Sequence, residues 1–155
     1  MQIVDGRRYP TVTSEGIYGF FHQYRWLSNF HVCRVTVQGT TYPSSEHAYM
    51  AMKTLKIMDR RKLAREIETP AQAKAFGQTV KLRPNWEEIK YSKMLEVLRC
   101  KFIQNKDLRI MLQKTRDLYL EETNNWGDVY WGVCNGEGKN KLGQALMRVR
   151  RELFE

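Results

Sequence analysis

The order of the hydrophobic periodicities constrains the fold of this chain more than any other feature. Residues 32–37 are β-branched and roughly alternating, residues 38–40 have turn composition, and residues 41–42 are extended again, which predicts a short hairpin. A helical period then begins and continues to about residue 114. Because no series of alternating strands and helices follows, any sheet must be antiparallel or mixed. The sequence therefore predicts an α+β fold, mainly helical with a small antiparallel or mixed sheet.

Helix start signals recur through the middle of the chain. After the hairpin we expect a helix over residues 45–58 and a short helix over residues 59–68. Thr69 and Gln72 have the spacing of a capping box, with proline at the first helical position of a helix that ends near residue 77. The remaining predicted elements are a helix from Asn85 to about Gln104, a short helix over 107–114, an extended stretch over 118–133 and a final helix capped by Asn140.

Length and composition suit one domain over residues 1–155. Eighteen Trp, Tyr and Phe residues supply enough apolar surface to exclude disorder as the main state. No apolar run approaches the roughly 20 residues of a membrane span, and the N-terminus lacks the apolar core of a signal peptide. We therefore expect a cytoplasmic protein with no membrane partner.

Cysteine and histidine spacing indicates neither a disulfide framework nor a metal site. No two cysteines stand at CxxC spacing, and the histidines form no HxH or HExxH cluster. An odd, sparse cysteine count is typical of reduced thiols in the cytosol. We therefore predict no metal ion and no cofactor. The residues concerned are Cys33, Cys100, Cys134, His22, His31 and His47.

The positive charge is concentrated in one part of the chain. Residues 53–116 carry seventeen Lys and Arg against seven Asp and Glu, whereas residues 117–138 carry five acidic residues and no Lys or Arg. A basic region beside an acidic one suggests a site that binds phosphate on one side and is lined by carboxylates on the other. The alternative is a set of helices with solvated Lys and Arg faces.

A candidate pair of reactive groups lies on the helix after the hairpin. At about 100° per residue, Glu46 and Lys53 differ by about 20° in azimuth and about 10 Å in rise, and Tyr49 lies between them. The carboxylate can transfer a proton or stabilise an oxocarbenium-like carbon, and the amine can bind phosphate or attack a sugar aldehyde or imine. The alternative is an ordinary charged surface helix. His47 points about 100° away from Glu46 and is expected to be structural.

Two tryptophans five residues apart mark a candidate ring-binding segment. Trp126 and Trp131 can stack on planar heterocycles, and Gly132 lets a ligand approach the backbone closely. Asp128 can hold the amino edge of a ring or orient a water molecule. The alternative is a core strand whose tryptophans fill space. Asn29 would offer a neutral amide if it is buried beside Trp131, and otherwise caps a turn.

Five short segments, spread along the chain, carry a resemblance to a known family. They are Ser28-Asn29-Phe30, Tyr42-Pro43-Ser44-Ser45-Glu46-His47-Ala48-Tyr49 with Lys53, Leu82-Arg83-Pro84-Asn85-Trp86, Tyr130-Trp131-Gly132, and Gly138-Lys139-Asn140-Lys141-Leu142-Gly143 with Leu146, Met147 and Arg150. Together and in this order they resemble the NADAR (YbiA-like) family, over about residues 17–153. The resemblance implies a single domain with the YbiA-like fold. One departure is Met50, where many relatives have Gln one turn beyond Glu46.

The resemblance implies an N-glycosidase that hydrolyses the bond between ribose C1′ and an amine on a guanine-like or pyrimidinone ring. The implied substrates are 5′-phosphorylated intermediates of riboflavin synthesis, or ADP-ribose attached to the amino group of guanine. We therefore predict Glu46, Lys53 and Asp128 as catalytic residues, and Asn29, Tyr49, Trp86, Trp126, Trp131, Gly132 and Asn140 as substrate-binding residues.

Individual roles follow from the chemistry that cleavage of a ribosyl-amine bond needs. Glu46 is interpreted as the acid/base group or the oxocarbenium stabiliser, and Asp128 as the group that activates water or binds the amino edge of the ring. Trp86 or Trp131 stacks on the ring. Lys53 either captures the ring-opened imine as a Schiff base or, when protonated, binds an anion.

Two further classes of function stay open at this point. The net charge of +9 and the aromatic residues within the basic region also fit a nucleic-acid-binding module. A protein that binds ADP-ribose or an NAD derivative without cleaving it is the other possibility. The enzyme and the module overlap if the substrate is ADP-ribosylated nucleic acid, since the basic face would then bind the strand that carries the modified base.

Overall fold

Helices and short strands follow one another largely in the predicted order. The computed structural model describes residues 2–4 and 6–155. Its helices are α1 (Ser45–Met52), α2 (Ile57–Arg65), α3 (Pro70–Gly77), α4 (Trp86–Gln104), α5 (Lys106–Lys114) and α6 (Lys141–Phe154), with a 3-10 helix at His22–Leu27. Its strands are β1 (Gln2–Val4), β2 (Arg7–Tyr9), β3 (Thr11–Val12), β4 (Gly16–Tyr18), β5 (Val32–Val37), β6 (Thr40–Ser44), β7 (Tyr119–Glu121), β8 (Thr123–Asn124) and β9 (Val133–Cys134).

The sheets are small and include both strand orientations. β5 and β6 form the predicted antiparallel hairpin, with Val37 opposite Thr40. β3 pairs antiparallel with β4, which in turn pairs parallel with β7, and β8 pairs parallel with β9. The prediction of a mainly helical α+β fold with small antiparallel or mixed sheets is confirmed.

The chain divides into two units. The middle unit comprises Asn29–Arg109, and the terminal unit comprises Met1–Ser28 together with Ile110–Glu155. The middle unit carries sixteen Lys and Arg against eight Asp and Glu, a net charge of +8, whereas the terminal unit carries ten against nine. Nearly all of the excess positive charge therefore lies in the middle unit. The extent of the domain over 1–155 stays a prediction.

In the middle unit, α1 is the helix around which the other elements pack. It contacts α2, α3, α4 and both strands of the hairpin, and α4 also packs on β5. All eight residues of α1 are buried. Because burying an unpartnered polar group is costly, each polar side chain in this helix requires a partner inside the protein.

Side-chain amides from the end of α4 cover the outer edge of β5. Gln104 pairs with the backbone of Thr36 in the manner of a neighbouring strand: its Oε1 accepts from the Thr36 N–H and its Nε2 donates to the Thr36 carbonyl, both at 2.7 Å. Asn105 Nδ2 donates to the carbonyl of Arg34 at 2.9 Å. The strand edge is therefore satisfied without a further strand.

The predicted helix over 45–58 is wrong in length. α1 ends at Met52, and α2 begins at Ile57 with Lys56, rather than Asp59, at its N-cap. Of the four residues between the two helices, Lys53 is in a turn and the next three have no regular secondary structure.

Two arginines explain why α1 stops early. Arg60 Nε donates to the carbonyls of Ala51, at 3.1 Å, and Thr54, at 2.8 Å. Arg83 donates through its main-chain N–H to the carbonyl of Lys53 at 2.8 Å, and through Nη1 to the preceding carbonyl at 3.4 Å. The last carbonyls of a helix have no partner within it, so these bonds stabilise an end where local propensity predicts continuation.

The predicted N-caps of α3, α4 and α6 are confirmed in position, and in mechanism only in part. At Thr69 the hydroxyl accepts from the Gln72 N–H and the Gln72 side chain accepts from the Thr69 N–H, which completes the capping box. Asn85 and Asn140 occupy N-cap positions in the left-handed conformation, and neither makes a side-chain cap hydrogen bond. Both positions have a positive φ, which asparagine tolerates better than most residues.

In the terminal unit, α6 packs on β7 through a glycine. A Cβ at Gly143 would overlap the backbone carbonyl of Leu120, so the close approach of helix and strand depends on its absence. The predicted extended stretch over 118–133 contains the short strands β7 and β8, then a loop, and reaches the first residue of β9. Within the part of the chain that the structure describes, no helix is long and apolar enough to cross a membrane.

Loss of the capping box should be measurable as a loss of stability. We expect Thr69→Ala to lower the free energy of unfolding by about 1 kcal/mol, because the Gln72 N–H loses its acceptor. Thr69→Ser keeps a hydroxyl and should stay close to the wild type. Urea denaturation followed by circular dichroism measures both, and equal stability of the Ala variant and the wild type would contradict this account.

Candidate functional site

The predicted carboxylate lies at the first turn of α1. Glu46 is 8% exposed, and its main-chain N–H donates to the carbonyl of Asn29 at 3.1 Å. The Asn29 side chain accepts from Ser45 Oγ at 2.8 Å and donates to Met94 Sδ at 3.4 Å. Asn29 therefore fixes the start of the helix that carries Glu46. Its predicted role in binding substrate stays a prediction.

His47 has the structural role that was expected of it. It is fully buried, with Nδ1 2.6 Å from Ser44 Oγ and Nε2 3.0 Å from the carbonyl of Ile67. Because a carbonyl only accepts, Nε2 carries the ring proton and Nδ1 accepts from the hydroxyl. Burial lowers the pKa of His47, and the hydrogen bond to Ile67 opposes that shift. The neutral ring joins the α1 cap to the segment before α3.

Lys53 follows the last turn of α1 and keeps a helical backbone conformation. Its Nζ donates to the carbonyl of Gly77 at 2.7 Å. The pKa of the Lys53 amine is lowered, chiefly because burial disfavours the charged form, while the carboxylates of Glu46 and Glu87 oppose the shift. The Glu46 carboxylate and the Lys53 amine therefore interact electrostatically, and their joint role in a reaction stays a prediction. A lowered pKa leaves more of the amine neutral, and thus nucleophilic, at a given pH.

Two aromatic rings stand beside this pair. Tyr49, between Glu46 and Lys53 on α1, packs against Trp86 at the start of α4, with ring centroids 5.4 Å apart and planes tilted by 45°. Trp86 is 6% exposed and Tyr49 5% exposed. Most of each ring therefore contributes to packing, and stacking on a ligand by Trp86 stays a prediction.

In the terminal unit, one buried asparagine organises the loop that holds the tryptophans. Asn124 Oδ1 accepts from the main-chain N–H groups of Trp126, at 3.2 Å, and Asp128, at 3.0 Å. Its Nδ2 donates to the carbonyls of Asp128, at 2.8 Å, and Val133, at 3.3 Å. The loop that follows Asn124 is thus held, as far as Val133, by hydrogen bonds to this one side-chain amide.

Asp128 adds a second turn within this loop. One carboxylate oxygen, Oδ1, accepts from the N–H groups of Tyr130, at 3.2 Å, and Trp131, at 2.9 Å. The rings of Tyr130 and Trp131 meet edge to face at 4.8 Å, and Lys139 Nζ lies 5.8 Å from the centroid of the Tyr130 ring. Trp126 is 51% exposed. The alternative of a core strand is therefore wrong for Trp126, which stands in an exposed loop. Catalysis by Asp128 and ligand stacking by either tryptophan stay predictions.

Gly132 and Asn140 both have structural contacts that sequence reasoning did not predict. A Cβ at Gly132 would overlap the carbonyl of Glu122, so this glycine is required for packing inside the unit. Asn140 accepts from the N–H of Glu122 at 3.0 Å and donates to the carbonyl of Leu120 at 2.9 Å. These contacts explain both residue types; substrate binding by either residue stays a prediction.

Four residues that shape these sites were not found from the sequence. Gly77 holds the Lys53 amine, Asn124 shapes the tryptophan loop, and Arg60 and Arg83 end α1. For Asn124 a signal was present, since asparagine before a glycine-containing loop favours side-chain turns. Within the described residues, no group of three or more His, Cys, Asp and Glu could hold a metal ion.

Comparison with known proteins places these features in a family. The NADAR domain family matches residues 18–154. N-glycosidase YbiA of Shigella flexneri is 38% identical over 97% of this chain and 96% of its own length. A riboflavin biosynthesis protein of Vibrio vulnificus is 39% identical over 84% of this chain and 36% of its own length. The NMR structure of the Escherichia coli protein YbiA matches with a TM-score of 0.80 and 36% identity, covering 94% of this chain and 89% of that one.

The fold and the relatives define an α+β enzyme of the N-glycosidase class. The chain belongs to the NADAR family. The family resemblance, the fold and the enzyme class predicted from the sequence, a hydrolase that acts on N-glycosyl bonds, are thereby confirmed.

The electrostatic interaction of Glu46 with Lys53 predicts how the lysine titrates. Because the Glu46 carboxylate raises the pKa of Lys53 against the effect of burial, Glu46→Gln should lower that pKa further. Pulse acetylation of the folded protein across a pH series, with peptide mass spectrometry of Lys53, measures the inflection. We expect the inflection at a lower pH in Glu46→Gln than in the wild type. The exposed residue Glu88 does not contribute to this shift, so Glu88→Gln is the matched control. An unchanged or raised inflection in Glu46→Gln would refute the interaction.

Proposed function

We propose that this enzyme hydrolyses the bond between ribose C1′ and an amine on a pyrimidinone or guanine-like ring, with a 5′-phosphorylated ribosyl-amine as its substrate. The Vibrio vulnificus relative is named a riboflavin biosynthesis protein, which supports an intermediate of that type. The observation that carries the proposal is the electrostatic interaction of two groups at α1. The buried Glu46 carboxylate raises the pKa of the Lys53 amine against the effect of burial.

The carboxylate supplies what breaking the C1′–N bond requires. As the bond breaks, positive charge develops at C1′ and the departing amine needs a proton. A buried carboxylate can stabilise that charge, or in its protonated form can donate the proton. The oxygen of water is added to C1′, and the amine leaves with a proton. Glu46 is proposed for one of these two roles.

Lys53 has two proposed roles, which differ in the form of the amine. A ribosyl-amine can open to an imine, and the neutral Lys53 amine can add to C1′ and expel the ring amine, forming a Schiff base that water then hydrolyses. The lowered pKa of Lys53 favours this route. In the protonated form, the same group would bind the phosphate of the substrate.

ADP-ribose attached to guanine in a nucleic acid is a second candidate substrate. The observation that favours it is the net charge of +8 in the middle unit, which also carries Glu46 and Lys53, because positive charge attracts a polyanion. The N-glycosidase relatives favour an enzyme over the two alternatives from the sequence, a basic nucleic-acid-binding module and a non-catalytic ADP-ribose binder. Either of these would bind its ligand and leave the C1′–N bond intact.

Turnover of the two substrate types tests the proposal directly. We expect the wild type to release ribose 5-phosphate from the pyrimidinone intermediate, or ADP-ribose from a modified guanine oligonucleotide, as measured by chromatography. Glu46→Gln should keep the fold and lower kcat by a factor on the order of 10²–10⁴, because the positioned carboxylate is lost. Glu88→Gln, which alters an exposed carboxylate at the start of α4, should retain activity.

If the folded wild type forms product from neither substrate, both candidate substrates are rejected. Near-normal kcat in Glu46→Gln would remove this carboxylate from the reaction. Binding of unmodified DNA that weakens steeply with salt, without any product, would favour the module.

Reduction with borohydride during turnover distinguishes the two roles of Lys53. If the Schiff base forms, its reduction leaves the sugar attached to Lys53 as a secondary amine, and mass spectrometry should find that adduct on the peptide containing residue 53. Lys53→Arg keeps the positive charge and cannot form the adduct, so we expect it to lose turnover. An anion-binding role predicts the opposite pair of results: no adduct in the wild type and substantial turnover in Lys53→Arg.

A further inference from the structure

Gly77, the last residue of α3, approaches the end of α1 with both its carbonyl and its Cα. Its carbonyl accepts the hydrogen bond from Lys53 Nζ at 2.7 Å. On its other side stands Met50, which is buried, one turn before Lys53. A Cβ on Gly77 would overlap Met50 Sδ and lie 2.7 Å from its Cγ and 3.1 Å from its Cβ. There is therefore no room for any side chain at residue 77 while Met50 keeps its place.

The backbone of Gly77 gives no reason for a glycine. Gly77 is helical and is not among the residues with a positive φ, so an L-residue fits its conformation. Glycine within a helix costs about 1 kcal/mol relative to alanine. Of the features around Gly77, the contact with Met50 is what requires the missing side chain.

The carbonyl of Gly77 is well suited to hold an amine. The last four carbonyls of a helix lack partners within it and carry partial negative charge, so a donor from another element is favoured there. One N–H of Lys53 is thereby directed at Gly77, which restricts the orientation of the rest of the amine. The side chain of Met50 and the carbonyl of Gly77 together set how closely α3 approaches the end of α1.

We propose that Gly77 and Met50 are a size-matched pair that positions the amine of Lys53 for the reaction. The pair acts through the distance between α3 and α1: with glycine at 77 and methionine at 50, the Gly77 carbonyl reaches Nζ. This inference rests on the proposed function for the consequence in turnover, since it takes Lys53 to act on the substrate. The placement of the amine itself does not depend on that function.

The test is a double-mutant cycle of Gly77→Ala, Met50→Ala and the two together. In Gly77→Ala the new methyl group meets Met50, so α3 must shift and the hydrogen bond to Lys53 lengthens or breaks. We expect kcat to fall by about tenfold to a hundredfold, because displacements near 1 Å at a reacting group have effects of that size. The pulse-acetylation inflection of Lys53 should move to lower pH, since the ammonium form loses an acceptor.

Removing the Met50 side chain should reverse both effects. In the double variant only Met50 Cβ remains near the new methyl group, at about the distance of a tight contact, and α3 can return. We expect the double variant to regain most of the lost kcat and the wild-type inflection of Lys53. Gln78→Ala, an exposed change at the next residue, is the control and should alter neither readout.

Three outcomes would overturn the proposal: a Gly77→Ala variant with unchanged kcat and inflection, a double variant no better than Gly77→Ala, or loss of kcat in Gly77→Ala with an unchanged inflection. If Gly77→Ala does not fold, the double variant is compared with Met50→Ala instead. Without the Met50 side chain there is room for alanine at 77, so the two variants should have the same kcat and the same inflection of Lys53. A lower kcat or a shifted inflection in the double variant would overturn the proposal. Acetylation needs no substrate, so a failure of the proposed reaction and a failure of this pair give different results.

Discussion

Burial of all eight residues of α1 imposes the main constraint on the middle unit. A helix buried in this way must find a protein partner for nearly every polar group it carries. At its start the partners are Asn29 and the hydroxyl of Ser44, and at its end they are Arg60 and Arg83. A helix satisfied in this way at both ends has little freedom to slide or rotate. Glu46, in its first turn, and Lys53, directly after its last residue, are therefore held by the same contacts that stabilise the fold.

The electrostatic environment of Lys53 combines opposing effects. Burial favours the neutral amine, while two carboxylates favour the ammonium form. Burial is the larger effect, so the pKa of Lys53 is lowered overall and more of the amine is neutral at a given pH than in an exposed lysine. That direction is the one that the proposed role of Lys53 as a nucleophile requires.

Local patterns explain which parts of the structure could be predicted from the sequence. Helical spacing is a property of residues close in sequence, so the sequence could predict that Glu46, Tyr49 and Lys53 follow one face. The capping box at Thr69 could be predicted because it too involves only residues close in sequence. The contact of Lys53 with Gly77 spans 24 residues and depends on how α3 packs, which no periodicity records. The early end of α1 is of the same kind, because its carbonyls are satisfied by Arg60 and Arg83, which lie outside the helix. Asn140 shows a different limit: its place before α6 was predicted, and its bonds to β7 were not.

The side-chain pairing of Gln104 with Thr36 has a consequence for the behaviour of the chain at high concentration. An unpaired strand edge is a template on which another molecule can add its own strand, and the outcome is aggregation. Here an amide side chain mimics the backbone of a neighbouring strand and so occupies the positions that an incoming strand would need. Because the mimic ends after one residue pair, it cannot propagate the ladder. At Thr36 an amide side chain thus does what a charged residue or a proline does at many other strand edges.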